Sequence, residues 1–431
     1  MLLFHVLLGI ISSFSSFFIT VWIYFVLLYS IYKVISTKNE FGHAHFFAAY
    51  IIGIELLLRM TGASVNWEFG KFVVILLFLL AIFLEKRKKN IPLTCYMFIL
   101  FLVPAIIKID TTSFHAWTRV ISFNLGGLIA LILSVAYFYE RKISKDELNY
   151  LFILIVLPIL SSLIVIILRM GDISSITFNN EANLQTSGGF GPNQVATTIG
   201  FGILIICLSI FLKLKMFGLI TNLILMISFL FFGFLTFSRG GIISPIIAII
   251  IGFIFNFTKT DSAIKVFSYI LIGILILNFS WNYLYDITDG YLEERYFNVL
   301  SQSESEIFTN RLAIIDHQIA MFYENILLGM GVGSSKNILI YYDLGSGAAT
   351  HTEFARLLAE HGIFGLFNIL ILFLLPIKSF FKTQDFNKKL FIIISVTFSF
   401  LTMFHSALRL ALAGYIYGLS LINFQFHYNE E

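Results

Sequence analysis

Thirteen apolar stretches, each about as long as a bilayer is thick, occupy most of this chain: 12–32, 42–60, 67–84, 91–107, 116–139, 148–168, 193–212, 217–236, 239–257, 264–281, 362–380, 390–405 and 409–425. A helix needs about 20 mainly apolar residues to cross the hydrocarbon core. Backbone in lipid must satisfy its own hydrogen bonds, so such stretches fold as helices packed side by side. Only 12% of the residues are charged, about half the usual share, too few to cover a soluble surface. The runs are continuous rather than alternating, which excludes an outer-membrane type of barrel. With 29 glycines and 6 prolines, the chain is neither collagen-like nor disordered. The expected fold is all-α, a polytopic membrane protein of 12–14 transmembrane helices. The first run, 2–32, is broken by Ser12, Ser13, Ser15 and Ser16. It reads as one long helix or as a short surface piece followed by a span. The N-terminus has no charged region before the apolar run and no small-residue cleavage site, so it is not read as a removed signal. Cys95 and Cys207 lie inside apolar runs and read as small core residues.

Orientation follows from the basic residues of the short loops. One alternate set of loops holds Lys33, Lys38, Lys86, Arg87, Lys88, Lys89, Arg141, Lys142, Lys145, Lys213, Lys215, Lys259, Lys265, Lys378, Lys382, Lys388 and Lys389. Nearly all are Lys, the ordinary signal of a cytoplasmic face. The other set holds Arg59, Lys71, Lys108, Arg119, Arg169, Arg239, Arg295, Arg311, Lys336, Arg356 and Arg409, mostly Arg. Arginine there works against the topology signal. Its planar fork binds phosphate or carboxylate bidentately, so an arginine-rich outer face implies a polyanionic ligand such as a pyrophosphate. Snorkelling and pairing with the acids on that side is the alternative. The net charge of +3 gives no reason to expect nucleic acid.

Residues 282–350 form the one long polar interruption and divide the chain into membrane helices at 1–281, a large outer loop, and membrane helices at 351–431. A structureless loop of that length is rare. Residues 311–328 show apolar positions at helical spacing and predict an amphipathic helix on the membrane face. The glycines at 329, 331, 333, 345 and 347 that follow predict a flexible segment. A shorter outer loop, 170–192, ends in Gly-Pro-Asn-Gln, and Pro192 with Asn193 predicts a helix start.

The run Gly329-x-Gly331-x-Gly333-Ser334-Ser335-Lys336 lacks the spacing and the βαβ setting of a nucleotide loop. No H-E-x-x-H, C-x-x-C or G-x-S-x-G occurs, so no metal or nucleophile-elbow motif is present. Three basic sites remain. Arg239 stands between two spans in Ser238-Arg239-Gly240-Gly241, with no bulky neighbour to pack a simple anchor and two glycines that admit close approach. Arg311 begins the loop helix, where a cation opposes the helix dipole. His351 precedes a helix pattern; a helix N-terminus keeps an imidazole neutral and able to act as a base. Glu353 and Arg356 are one turn apart and can pair.

These residues resemble the O-antigen ligase family, which includes O-antigen and exopolysaccharide polymerases. His351-Thr352, nine residues, then Gly362-x-x-Gly365 is similar to its H-[NSQ]-x9-G-x-x-G motif, with Thr in the second place. Ser238-Arg239-Gly240-Gly241, Arg311 with its helix, the Asn325–Gly333 turn and Gly191-Pro192-Asn193-Gln194 resemble further elements, in order over 187–425. The resemblance implies a GT-C-like, inverting, metal-independent glycosyltransferase without cofactor, at the periplasmic face of a bacterial inner membrane. Its donor would be a glycan on undecaprenyl pyrophosphate. Its acceptor would be a sugar hydroxyl for a polymerase, the first expectation, or lipid A-core or protein for a ligase; a chain-length regulator is left open as a partner. Arg239 and Arg311 would hold the pyrophosphate and His351 would act on the acceptor hydroxyl. Arg119, Arg169, Asn193, Arg356, Arg409 and Glu353 would contact phosphate or glycan. A lipid-linked glycan transporter is the rival from another class; it should carry charges along a path through mid-membrane.

Overall fold

The computed structural model describes residues 1–63, 66–86, 91–109, 113–256, 281–297, 309–336 and 352–425, apart from the side chains of 309–312, together with positions 273 and 278. The N-terminal run is two helices, α1 (Leu2–Phe14) and α2 (Ser16–Ser36). Ser15 separates them in an extended conformation, and its hydroxyl accepts the Phe17 amide at 3.3 Å. The chain continues through α3 (His43–Thr61), α4 (Phe69–Leu84), α5 (Leu93–Ile107), α6 (Phe114–Phe138), β1 (Lys142–Ser144), α7 (Lys145–Met170), α8 (Pro192–Phe211), α9 (Leu219–Leu235) and α10 (Arg239–Asn256). Then follow α11 (Tyr291–Phe297), α12 (Thr309–Glu324), α13 (Glu353–Lys382), α14 (Phe386–His405), α15 (Leu412–Leu419) and β2 (Asn423–Gln425). Local signals set several starts: Ser144 and Glu147 form a capping box for α7, and Pro192 opens α8.

Among the described residues, eight helices are long and apolar enough to cross a membrane, and four shorter apolar helices accompany them. The chain is a multi-pass membrane protein. The expected span 264–281 lies almost wholly outside the described residues. The expected last span, 409–425, contains only the eight-residue α15 between turns, and ends in β2, which pairs in parallel with β1. Its apolar composition reflects burial in protein rather than in lipid. Gly414 and Gly418 bring its backbone against Leu131 and Ser134 of α6. Irregular backbone at membrane depth is tolerated where protein surrounds it.

Helices α3, α7 and α8 form the interior: most of each apolar window is buried, 83% for α3 against 28% for α2. Gly53 lets α3 approach the Ile155 carbonyl of α7, and Gly200 does the same for α8 against Gly241 of α10. Small residues take this role because apolar side chains gain nothing over lipid by packing loosely. Outward, α2, α10 and α13 present Phe25, Leu28, Ile250, Ile254, Phe373 and Leu374.

Polar residues gather at two ends. At one, Arg141 pairs bidentately with Glu85 at 2.6 and 2.9 Å, Asn39 bonds Glu85 and Tyr137, and Lys382 pairs with Glu140. At the other lie Arg59, Lys71, Lys108, Arg119, Arg169, Arg239, Arg356 and Arg409. Among the described residues these basic groups fall at the ends that the loop reading gave them; Arg87, Lys88, Lys89, Lys259, Lys265 and the side chain of Arg311 lie outside the described residues.

Candidate functional site

The arginine-rich end is organised by a kink in α13. At Gly362 the backbone turns to φ 60, ψ −136, separating 353–361 from the span Ile363–Lys382. The Asn325–Gly333 turn docks into that kink through backbone bonds. Met330 donates to the Ala359 carbonyl at 2.9 Å, Gly331 to Glu360 at 3.0 Å, and Ile363 to Ile326 at 2.7 Å. A Cβ on Gly362 would lie 2.5 Å from the Ile326 oxygen, and one on Gly329 would lie 2.4 Å from the Glu360 oxygen. Glycine is required on both sides because backbone meets backbone there. Lys108 donates to the Gly329 carbonyl at 2.8 Å. Glycines 329, 331 and 333 are therefore fixed, against the flexible segment expected; 345 and 347 lie outside the described residues.

The kink buries 353–361 among charges that pair. Arg356 bonds Glu353, Glu360 at 3.1 Å and the Asn124 carbonyl at 2.9 Å. Glu353 also accepts the Leu408 amide at 3.3 Å. Arg59 pairs with Glu55 at 2.7 Å and donates to Gln194 at 2.9 Å and to the Arg409 carbonyl at 2.8 Å, while Glu55 accepts the Ala411 amide at 2.8 Å. Lys71 pairs with Glu68 and donates to the Leu408 carbonyl at 3.3 Å. The turn 406–411 is thus held by charged groups from three helices. Burial alone would lower the Arg356 guanidinium, but Glu353 and Glu360 outweigh it and hold it above its ordinary value. Burial pushes the Glu360 carboxyl up, with Arg356 opposing. Neighbouring His361 is lowered to about 3 by burial and then by Arg356, and neither ring nitrogen has a partner among the described residues.

Two cavities open beside this network. The smaller, about 300 Å³, is lined by Lys71, Gln194, Glu353, Arg356, Leu408 and Arg409, among others. The larger, about 720 Å³, is lined by Asn66, Phe72, His115, Thr118, Arg119 and Ser122. Trp67, Glu68 and Phe123 line both, so the two adjoin.

Arg239 sits elsewhere at the same end. Ser238 donates to Asn193 Oδ1 at 2.7 Å, joining the starts of α8 and α10. Gly240 lies against the His405 ring and Gly241 against Ala196 and Thr197. Arg239 is half-buried, within electrostatic reach of Tyr296 on α11, and no carboxylate among the described residues pairs with it. Arg295, next to Tyr296, holds the Asn180 and Phe237 carbonyls.

The structure therefore brings Arg119, Arg356, Arg409 and Glu353 to one pair of cavities and places Arg239 with Asn193 beside α11. Arg169 is exposed and donates to the Met60 carbonyl at 2.7 Å. The backbone of 311 lies in the first turn of α12, its side chain outside the described residues, and His351 lies outside them altogether. The following residue, Thr352, is buried and donates to Gln318 of α12 at 3.2 Å. The buried stripe of α12, Ile314, Gln318 and Met321, packs on the start of α13 rather than on a membrane surface. Cavity residue Glu68 escaped the sequence reading, and Gln194 entered it only as the end of the Gly191–Gln194 element. Glu55 and Arg59, four apart in an apolar helix, were the signal for a buried ionic site at one end.

Residues 223–370 match the family model described as O-antigen ligase. The matched region contains Arg239, Arg311, His351, the glycine turn and the α13 kink, and is consistent with the O-antigen ligase and polymerase family. No curated protein matches the chain.

Proposed function

We propose that this chain is a surface-polysaccharide polymerase that moves a glycan from undecaprenyl pyrophosphate to an acceptor sugar hydroxyl at the periplasmic membrane face. The Thr352–Gln318 hydrogen bond is the observation that carries the reading. It joins the helix that bears Arg311 to the residue beside His351, next to the cavity that Glu353 lines. Position 311 falls on the same helical stripe as Ile314 and Gln318, at i, i+3 and i+7.

In the reaction the acceptor oxygen attacks the anomeric carbon from the face opposite the pyrophosphate. The carbon–oxygen bond to the pyrophosphate breaks, its electron pair leaves with undecaprenyl pyrophosphate, and the hydroxyl proton passes to His351. Arg239 and Arg311 stabilise the charge that develops on the leaving group. Arg239 suits that task, since no carboxylate among the described residues neutralises it. His351 acts as general base.

The description of the matched family is equally compatible with a second reading, a ligase that uses the same donor and passes the glycan to lipid A-core or to protein. Purified protein incubated with a lipid-pyrophosphate-linked repeat unit tests both. Longer lipid-linked chains support the polymerase. Transfer only to added lipid A-core makes the protein a ligase, and no transfer with either acceptor overturns the proposal.

A further inference from the structure

We propose that the two adjoining cavities beside α13 are the carbohydrate-binding site and are separate from the place where pyrophosphate is held. This rests on the glycosyltransferase reading above. Trp67 and Phe123 are 48% and 51% exposed at the shared boundary, so each offers an open aromatic face. The Trp67 ring is held in place: it stacks on Phe190 at 5.6 Å, and the Arg59 guanidinium lies 5.1 Å from its centroid. Around these faces stand hydrogen-bonding groups, Asn66, Glu68, His115, Thr118, Arg119 and Ser122 in the larger chamber and Gln194, Glu353 and Arg356 in the smaller.

A flat ring surrounded by donors and acceptors matches a pyranose, whose C–H face lies on an aromatic while its hydroxyls point to the rim. The chamber sizes, about 720 and 300 Å³, are those of pockets that enclose a small organic ligand and suit a short oligosaccharide.

Charge separates this site from the pyrophosphate. Lys71 and Arg356, the buried cations whose ion pairs line the smaller chamber, are already neutralised by Glu68, Glu353 and Glu360; Arg119 and Arg409, which also line the chambers, are exposed and half-buried. A pyrophosphate placed there would meet those carboxylates, whereas hydroxyls can bond to both members of each pair. The pairing would favour a neutral, hydroxyl-rich ligand in the chamber that Glu353 and Arg356 line.

The test uses the full chain in lipid nanodiscs and two probes: a lipid-free, isotope-labelled oligosaccharide of the repeat unit, and undecaprenyl pyrophosphate. Trp67→Ala and Ser122→Trp should each weaken oligosaccharide binding about tenfold, the weight of one well-placed aromatic contact or of a filled chamber. Trp67→Phe should restore most of it, and affinity for undecaprenyl pyrophosphate should stay as in wild type. Ser122→Trp guards against misfolding, since among the described residues the only side-chain hydrogen bond of Ser122 goes to the Arg119 carbonyl of its own helix. Oligosaccharide binding unchanged in both variants, with wild-type turnover intact, overturns the cavity assignment alone. So does a loss of undecaprenyl pyrophosphate affinity instead, which would make the cavity the pyrophosphate site. A wild-type chain that neither binds oligosaccharide nor transfers it overturns the glycosyltransferase reading and this proposal with it.

Discussion

Gly362→Ala isolates the kink that orders the arginine-rich end. At φ 60, ψ −136 the position is in backbone space that glycine alone enters readily. The new Cβ would sit 2.5 Å from the Ile326 oxygen, 2.6 Å from the Gly329 nitrogen and 2.9 Å from the Leu327 carbonyl carbon. All three are backbone atoms held by the Met330–Ala359, Gly331–Glu360 and Ile363–Ile326 bonds, so no side chain can swing aside. Backbone strain of about 1–3 kcal/mol adds to overpacking of about 1–3 kcal/mol. A loss of about 3–5 kcal/mol, or a straightened α13, is expected. Straightening would withdraw Glu353 and Arg356 from the cavity wall, so activity should fall with stability. Gly126→Ala is the control: it lies inside α6 with nothing within 4 Å of its added methyl and should stabilise by about 0.5–1 kcal/mol. Thermal unfolding in one detergent, with transfer activity measured on the same samples, checks both. A Gly362→Ala protein as stable and active as wild type would refute the reasoning.

Removing one partner of the buried network should be costly. Arg356→Ala leaves Glu353 and Glu360 buried without their cation and should destabilise by about 3–5 kcal/mol, seen as a lowered unfolding temperature. Arg239→Lys should impair turnover nearly as much as Arg239→Ala, because Lys keeps the charge but loses the bidentate fork; steady-state kinetics with the lipid-linked donor decide. His351→Ala should lower turnover about 10²–10⁴-fold and leave donor affinity intact; weakened donor binding with full turnover would make it a binding residue. His361 stays neutral in the fold down to about pH 3, while the unfolded chain protonates it near 6.5. The unfolded state thus binds the extra proton below about pH 6.5, so stability should fall with pH from there toward 3. Between pH 6.5 and 4.5 its share is about 2 kcal/mol, and His361→Leu should flatten the unfolding profile in that range.

Membrane residence, the approximate helix positions and the division of basic residues between two ends were all legible in the sequence. Each rests on properties that a segment carries by itself: apolar length, prolines and serines at helix starts, and Lys or Arg in the connecting loops. The candidate cations were legible for the same reason, since Arg239 and Arg311 interrupt apolar or helical patterns. Which of them hold a free charge was not. The spacing of Glu353 and Arg356 allowed a pair, but only the fold adds Glu360 to Arg356 and leaves Arg239 with no carboxylate partner among the described residues. Hydropathy also cannot tell burial in lipid from burial in protein, which is why 409–425 read as a span and folds as the short α15 between turns. The glycines of 329–333 read as freedom, but they are narrow places where one backbone meets another. The cavity that Trp67, Phe123 and Arg409 share draws on residues up to 342 positions apart, from 67 to 409. Only tertiary packing decides such a site, because desolvation and pairing act between segments that the chain order keeps apart.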